Sequence, residues 1–307
     1  MGRFLVDRLL RLVFVVFGAT LVAFVLLRLA GDPASVLLPI FASPEQRQEL
    51  RQDLNLDDPL PLQFVGYMGQ VLQGDLGESW KYRQPATDIV FQRFPATLEL
   101  VGLGIGFALV VGLVLGVVAA TRAGGALDGA LISFSLVARA VPTFWLGTLL
   151  ILFFAVNLAW LPTSGKGGWK SFVMPVATIA LFFVAELAMV VRAAMIEALS
   201  SDYVRAAVAK GLPRRLVVLR HALRNSLNPL VSVVAVNFGA LLGGTVIVEA
   251  VFAWPGIGLL AVQSVTQTDY PVLQAIVLLI AVTVAIVTTV SDVLYGILDP
   301  RIRKGGA

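Results

Sequence analysis

The stretch from Arg192 to Pro229, RAAMIEALSSDYVRAAVAKGLPRRLVVLRHALRNSLNP, is the long polar interval between apolar segments in the C-terminal two-thirds of the chain. Ser201 and Asp202 are N-cap residue types, and Tyr203 to Lys210 then reads as a short helix. Gly211 suits the left-handed position that ends a helix, and Pro213 suits the first turn of the next one. A helix of about eight residues is unstable alone, so this one has to pack on something. Ala206, Ala207 and Ala209 make it slim enough to enter a groove. The next helix carries Arg214, Arg215, Arg220 and Arg224 among Leu216, Val217, Leu219 and Leu223. Taken alone, such a loop is a basic cytoplasmic connector between membrane spans.

The composition agrees with spans. The 307 residues are 58% hydrophobic and 14% charged, with mean hydropathy +0.89. These values lie outside the soluble globular range and within the polytopic membrane class. There is no cysteine, so no disulfide framework, thiol nucleophile or Cys-based metal site exists. His221 is the single histidine, which removes multi-His zinc sites. The net charge is +4, and the basic residues are not gathered on a soluble face, so no nucleic-acid partner is expected.

Six spans are expected: Leu12–Leu27, Leu98–Ala120, Leu131–Val156, Phe172–Val191, Leu230–Val251 and Val272–Tyr295. The first follows Arg3, Arg8 and Arg11 and is longer than a signal-peptide core, so it reads as an uncleaved span. If the N-terminus is inside, the inner segments hold those three arginines, Arg122, seven basic residues between Arg192 and Arg224, and Arg301, Arg303 and Lys304. The longer outer segments hold Arg47, Arg51, Lys81, Arg83, Arg93, Lys166 and Lys170. That imbalance places both termini and the Arg192–Pro229 loop in the cytoplasm.

The fold class is therefore an all-α polytopic membrane protein. Residues 1–30 form the N-terminus and first span, residues 31–97 an extracytoplasmic helical segment, and residues 98–307 a core of five spans with the loop 192–229. In the outer segment, Ser43-Pro44-Glu45-Gln46 is a capping-box pattern with proline at the first helical position, and a helix to Leu54 follows. Pro61 to Gln73 repeats the signal, with Phe64, Val65, Met68, Val71 and Leu72 at helical spacing. Gly74 to Gly77 breaks the chain, and Ala86 to Phe94 reads as a third short helix. Such a segment is either an amphipathic cap on the membrane surface or a lip that receives a partner.

Chemistry-bearing motifs are missing. No G-x-x-x-x-G-K-[ST] stands here to cradle ATP phosphates, and there is no G-x-S-x-G and no H-E-x-x-H. Gly256-Ile257-Gly258 with Ala261 fits the loose dinucleotide pattern but follows Trp-Pro in an outer loop, not a strand. His221 lies among arginines with no nucleophile near it in sequence, so it reads as structural. Gly102, Gly106, Gly112 and Gly116 read as one face of the second span, and Gly239, Gly243 and Gly244 as a face of the fifth, for close helix packing. Asn237, Thr245 and Glu249 are the polar residues of the fifth span and the candidates to line a translocation path. Glu186, Arg139 and Asp292 are ionisable within spans, toward the inner ends, where structural pairing outranks a proton relay.

The Arg192–Pro229 interval resembles the cytoplasmic loop of ABC-importer permeases, in the version of the dipeptide/oligopeptide permease family. Arg205-Ala206-Ala207 stands where the loop's namesake has Glu-Ala-Ala, Pro229 comes later than in the general pattern, and Met189 occupies a position where an arginine is expected. Peptide-permease-like stretches run through the chain. They are Gly31-Asp32-Pro33, Gly74-Asp75-Leu76-Gly77, Arg93-Phe94-Pro95-Ala96-Thr97-Leu98, Pro142-Thr143-Phe144-Trp145-Leu146-Gly147, Leu161-Pro162-Thr163-Ser164-Gly165, Glu249 to Gly258, Asp269-Tyr270-Pro271 and Leu298-Asp299-Pro300-Arg301-Ile302-Arg303. The resemblance implies that Tyr203 to Lys210 is a coupling helix docking on an ATPase, with Asp202, Tyr203, Arg205, Ala206, Ala207, Lys210 and Gly211 as its site residues. It implies one half of an importer in a bacterial inner (plasma) membrane. Its partners would be a homologous second permease, cytoplasmic ATPase subunits, an extracytoplasmic substrate-binding protein and membrane lipid. ATP and Mg²⁺ would belong to the ATPase subunits, and this chain would hold no cofactor and catalyse nothing. Short peptides are the implied substrate, with nickel chelates, glutathione or haem as alternatives. An intramembrane enzyme would need a nucleophile–base pair or metal cluster that the sequence does not supply, and a structural or assembly protein would show no ATP-dependent uptake.

Overall fold

The computed structural model describes residues 10, 13–25, 38, 42–53 and 55–298, with side chains for all of these except 53, 225, 228, 229, 231, 232, 235 and 292–298. Expectations on Arg3, Arg8, Arg11, Gly31 to Pro33, Leu54 and residues 299–307 lie outside the described residues, as does the side chain of Asp292. Among the described residues every regular element is helical: α1 (Val13–Val25), α2 (Pro44–Asp53), α3 (Leu60–Leu72), α4 (Ala86–Thr121), α5 (Ala126–Ala140), α6 (Thr143–Leu150), α7 (Lys170–Ser200), α8 (Asp202–Ala209), α9 (Arg214–Leu216), α10 (Leu223–Ser226), α11 (Asn228–Val251), α12 (Ile257–Thr266) and α13 (Tyr270–Leu298). π-Helical turns follow α6 at Ile151–Asn157 and α9 at Val217–Ala222.

Three of these helices are long and apolar enough to cross a membrane, α4, α7 and α13, with a fourth span if α5 and the α6 segment count as one bent pair. That pair corrects the expected straight span Leu131–Val156. The chain turns by 98° between Ala126–Ala140 and Thr143–Asn157. Pro142 causes the break: its ring drives the preceding residue out of the α region, and Val141 is extended at φ −83°, ψ 120°. A second correction concerns Ala86 to Phe94. It is not a separate helix but the first turns of the 36-residue α4, which passes through Pro95 without ending.

The chain groups into two units, residues 1–95 with 256–286 and residues 96–255 with 287–307. In the first, the capping box forms as expected: the Gln46 N–H donates to Ser43 Oγ at 3.3 Å and the Ser43 N–H to Gln46 Oε1 at 3.0 Å. Phe17 and Phe24 of α1 meet Phe64 edge-on, and Phe24 stacks on Tyr67. The inward face of α3 thus carries Phe64, Tyr67, Met68 and Val71, whereas Val65 and Leu72 of the expected face are exposed. The core of this unit joins Ala86, Ile89 and Val90 to Ile257, Leu260, Val272, Ala275 and Ile276. Buried Asp269 closes it, accepting from Ser79 Oγ at 2.5 Å and from the Trp80 N–H at 3.2 Å.

In the second unit α7 is the central helix, with α5, α6, α8, α11 and the Val217–Ala222 turn packed on it. The glycine face of α4 divides in two. A Cβ at Gly112 or Gly116 would meet α7, at Gly116 as close as 2.6 Å from the Ala188 carbonyl. Gly102 and Gly106 touch nothing and border an apolar groove of about 490 Å³ with Phe107, Val110, Phe172 and Val176.

Candidate coupling site

The short helix is present with the expected limits, shifted by one residue. Ser201 holds the N-cap position with an extended backbone at φ −73°, ψ 155°, yet its hydroxyl donates backwards to the Ala198 carbonyl at 2.5 Å. The Arg205 N–H closes the first turn on Ser201 O at 3.1 Å. At the other end Gly211 has φ +77°. Its N–H donates to Val208 O at 2.9 Å, and the Leu212 N–H reaches Ala207 O at 3.3 Å. This pair of bonds is a complete Schellman cap, and its usual apolar contact is there as well, Leu212 lying against Ala207. Sequence spacing located the cap because only a residue free to adopt positive φ can stand at Gly211.

Two faces of α8 then separate. Val204 and Ala207 are buried against Val217 and Leu212, so the helix is anchored on its own chain. Ala207, one of the expected coupling residues, thus packs within its own chain. Asp202, Tyr203, Arg205, Ala206, Val208, Ala209, Lys210 and Gly211 are exposed, with Val208 58% and Tyr203 43% exposed. Leu216 and Leu219, beyond the cap, are exposed as well, as are Arg214, Arg215 and Arg220. Asp202 and Arg205 pair at 3.4 Å, but at 98% and 73% exposure such a pair contributes little stability. The exposed side chains of this segment are thus mainly apolar and cationic, a composition suited to a partner with an apolar pocket and acidic groups. Arg214 Nη2 donates to the Thr121 carbonyl at 3.1 Å, tying the segment after the cap to the last residue of α4.

Two of the three polar residues of the fifth span, Thr245 and Glu249, are enclosed among the described residues. Thr245 is fully buried and its hydroxyl donates to Leu242 O at 3.1 Å. Glu249 is fully buried and accepts from Thr97 Oγ1 at 2.6 Å. Asn237 is half-buried. The open face of α11 is instead Val236, Ala240, Gly243, Gly244 and Ile247. Around Glu249 the stretch Phe252-Ala253-Trp254 is packed tightly. The Trp254 Nε1–H donates to Ala96 O at 2.9 Å, Phe172 meets the indole edge-on at 4.7 Å, and Phe252 fills the space beside Gly147. Lys166 lies 5.8 Å from the same indole and pairs with Glu99 at 2.5 Å.

Of the ionisable residues within spans, Arg139 and Glu186 have described side chains. The Arg139 guanidinium lies 5.7 Å from the Phe182 ring centre, and Glu186 Oε2 is buried without a hydrogen-bond partner among the described residues. Met189 packs against Ala119, Leu131 and Ala188, so an apolar contact occupies the position where an arginine was expected. Sequence reasoning missed the ion pair of Asp128 with Arg192. The two residues are 64 positions apart, and Arg192 read only as one more loop charge.

Residues 112–304 match the family described as "Binding-protein-dependent transport system inner membrane component", and residues 1–101 match its N-terminal companion, "Binding-prot-dependent transport system membrane comp, N-term". The glutathione transport system permease protein GsiC of Escherichia coli K12 is 38% identical over 304 residues, 99% of each chain. GsiC of Pectobacterium atrosepticum is similar to the same extent. A crystal structure of the inward-facing MetNI methionine ABC transporter superposes with a TM-score of 0.59 at 19% identity, covering 69% of this chain and 96% of that one. A second crystal form of it gives 0.56 at 20%. The two structures share a fold with this chain. With both segments matched and relatives aligned along nearly its full length, the chain belongs to the binding-protein-dependent transport system inner membrane component family and is a permease subunit of an ABC importer, not an enzyme.

Proposed function

We propose that this permease carries peptides of about the size of glutathione, and that α8 is the coupling helix through which cytoplasmic ATPases drive it. The observation that carries the coupling reading is the two-faced α8, capped at its C-terminal end by Gly211, anchored by Val204 and Ala207 and exposed along Tyr203, Ala206 and Val208. A helix so held moves as a rigid piece of the bundle rather than as a loose loop. Closure of the ATPases would then be delivered to α7, which enters α8 through Ser201 alone. The glutathione permeases among the relatives support a small peptide substrate. Nickel chelates and haem are the other cargoes of permeases of this appearance.

The rest of the proposal follows from charge and exposed surface. Six spans cross an inner membrane with both termini cytoplasmic, residues 31–97 lie outside and receive the substrate-binding protein, and residues 98–307 form the core. A homologous second permease completes the path against the open Gly243–Gly244 face of α11, with lipid around the rest. ATP and Mg²⁺ belong to the ATPase subunits. Reconstitution of this chain with its second permease, ATPases and binding protein in proteoliposomes tests the reading. ATP-dependent uptake of labelled glutathione or a dipeptide is expected, and uptake that ignores ATP would contradict it.

A further inference from the structure

One buried carboxylate in the second unit joins two helices, α5 and α7, to the turn that precedes α5. Asp128 sits in the first turn of α5, its side chain 4% exposed. Both its oxygens accept from Arg192 of α7, Oδ1 from Nε and Oδ2 from Nη2 at 2.8 Å. Oδ2 also accepts the Gly124 N–H at 2.9 Å, in the turn between α4 and α5. The other contacts among these helices are apolar: Ala119, Leu131 and Ala188 with Leu115 and Met189, and Gly116 against Ala188 and Val191.

These two kinds of contact respond differently to motion. Small apolar side chains let one helix slide along another with little preference for register. A forked guanidinium–carboxylate pair has one good geometry, and breaking it here leaves the buried Asp128 carboxylate without the partly exposed Arg192 that balances it. Arg192 lies eight residues before Ser200, the last residue of α7, and Ser201 then leads directly into α8. Displacement of α8 is therefore applied to the helix that carries Arg192. On the far side of the cap, Arg214 holds the Thr121 carbonyl, so the end of α4 is tied to the same moving segment.

We propose that Asp128 and Arg192 are positioning residues, a strut that makes α5 follow α7 when the coupling helix is moved, so that ATP hydrolysis and substrate passage stay in step. The inference rests on α8 being the coupling helix. Neither residue touches nucleotide or substrate in this role. Both act through the helices they join.

The test uses the assembled transporter in proteoliposomes, with Asp128→Asn, Arg192→Lys and Arg192→Gln. Asparagine keeps the shape and an acceptor for the Gly124 N–H. Labelled glutathione uptake and ATP hydrolysis are measured together. Spin labels at Leu136→Cys and Glu197→Cys, placed in a chain without native cysteine, report the α5–α7 distance without any substrate. Asp128→Asn is expected to assemble and to hydrolyse ATP, while uptake per ATP falls about fivefold. Its label distance should change on nucleotide binding where the parent's stays fixed. Arg192→Lys, which keeps charge but not the fork, should lie between the parent and Arg192→Gln. A parent-like label distance in Asp128→Asn, an unchanged uptake-to-hydrolysis ratio, or failure to assemble would each overturn the strut. A wrong coupling-helix assignment shows itself elsewhere, as absence of contact between α8 and an ATPase in the parent protein.

Discussion

Ala206 and Ala207 are adjacent, identical and opposite in exposure. Ala207 is 7% exposed under Leu212 and Val217, whereas Ala206 is open to solvent. Ala207→Trp should disrupt the anchor of α8, with an overpacking cost of about 1–3 kcal/mol and lower membrane abundance. Ala206→Trp should leave abundance at the parent level and cut ATPase co-purification about tenfold, an interface loss of about 1.4 kcal/mol. Equal behaviour of the two variants in both assays would contradict the orientation of the helix. Gly211 sets the same direction through its backbone. Valine at φ +77° is strained by about 1–2 kcal/mol, whereas asparagine visits that region.

On the scale of whole helices, the α4–α7 contact is set by glycines that act by what they lack. A leucine at Gly116 would meet Ala188 and Val191 at impossible distances, while one at Gly102 enters open groove. Gly116→Leu should therefore reduce abundance several-fold and Gly102→Leu should not, as read by detergent-extracted protein per cell. If Gly102→Leu is the harmful one, the packing is assigned to the wrong face. The sequence showed these glycines but not their division, because recurring small residues mark a close approach without naming the neighbour. Local signals were the legible part. The Ser43–Gln46 box, Gly211 and the short α8 are written within a few residues of where they act. The 98° break at Pro142 was also local, but the apolar run on both sides concealed it. Hydropathy records burial in lipid and is blind to direction. Long-range partners, Asp128 with Arg192 and Thr97 with Glu249, depend on the packed fold and left no spacing to read.

For the molecule as a whole, the asymmetry of lysine and arginine predicts the orientation. Accessibility tags at Gly2, Gly125, Pro213 and Gly306 should be protected from outside reagents, and tags at Asn55, Lys166 and Thr268 should react. An Asn55 tag that reacts only after the cytoplasm is opened would overturn the arrangement of six spans. The central claim is that α8 is the point of contact with an ATPase. The chain has no cysteine, so Ala206→Cys provides one reactive thiol in it, at the middle of the exposed face. Treat the assembled transporter with a short thiol-to-amine crosslinker and follow product mass and ATP-driven uptake. The account predicts a single adduct of this chain with the ATPase subunit and loss of uptake. No adduct, together with full uptake and an ATPase still bound, would contradict it.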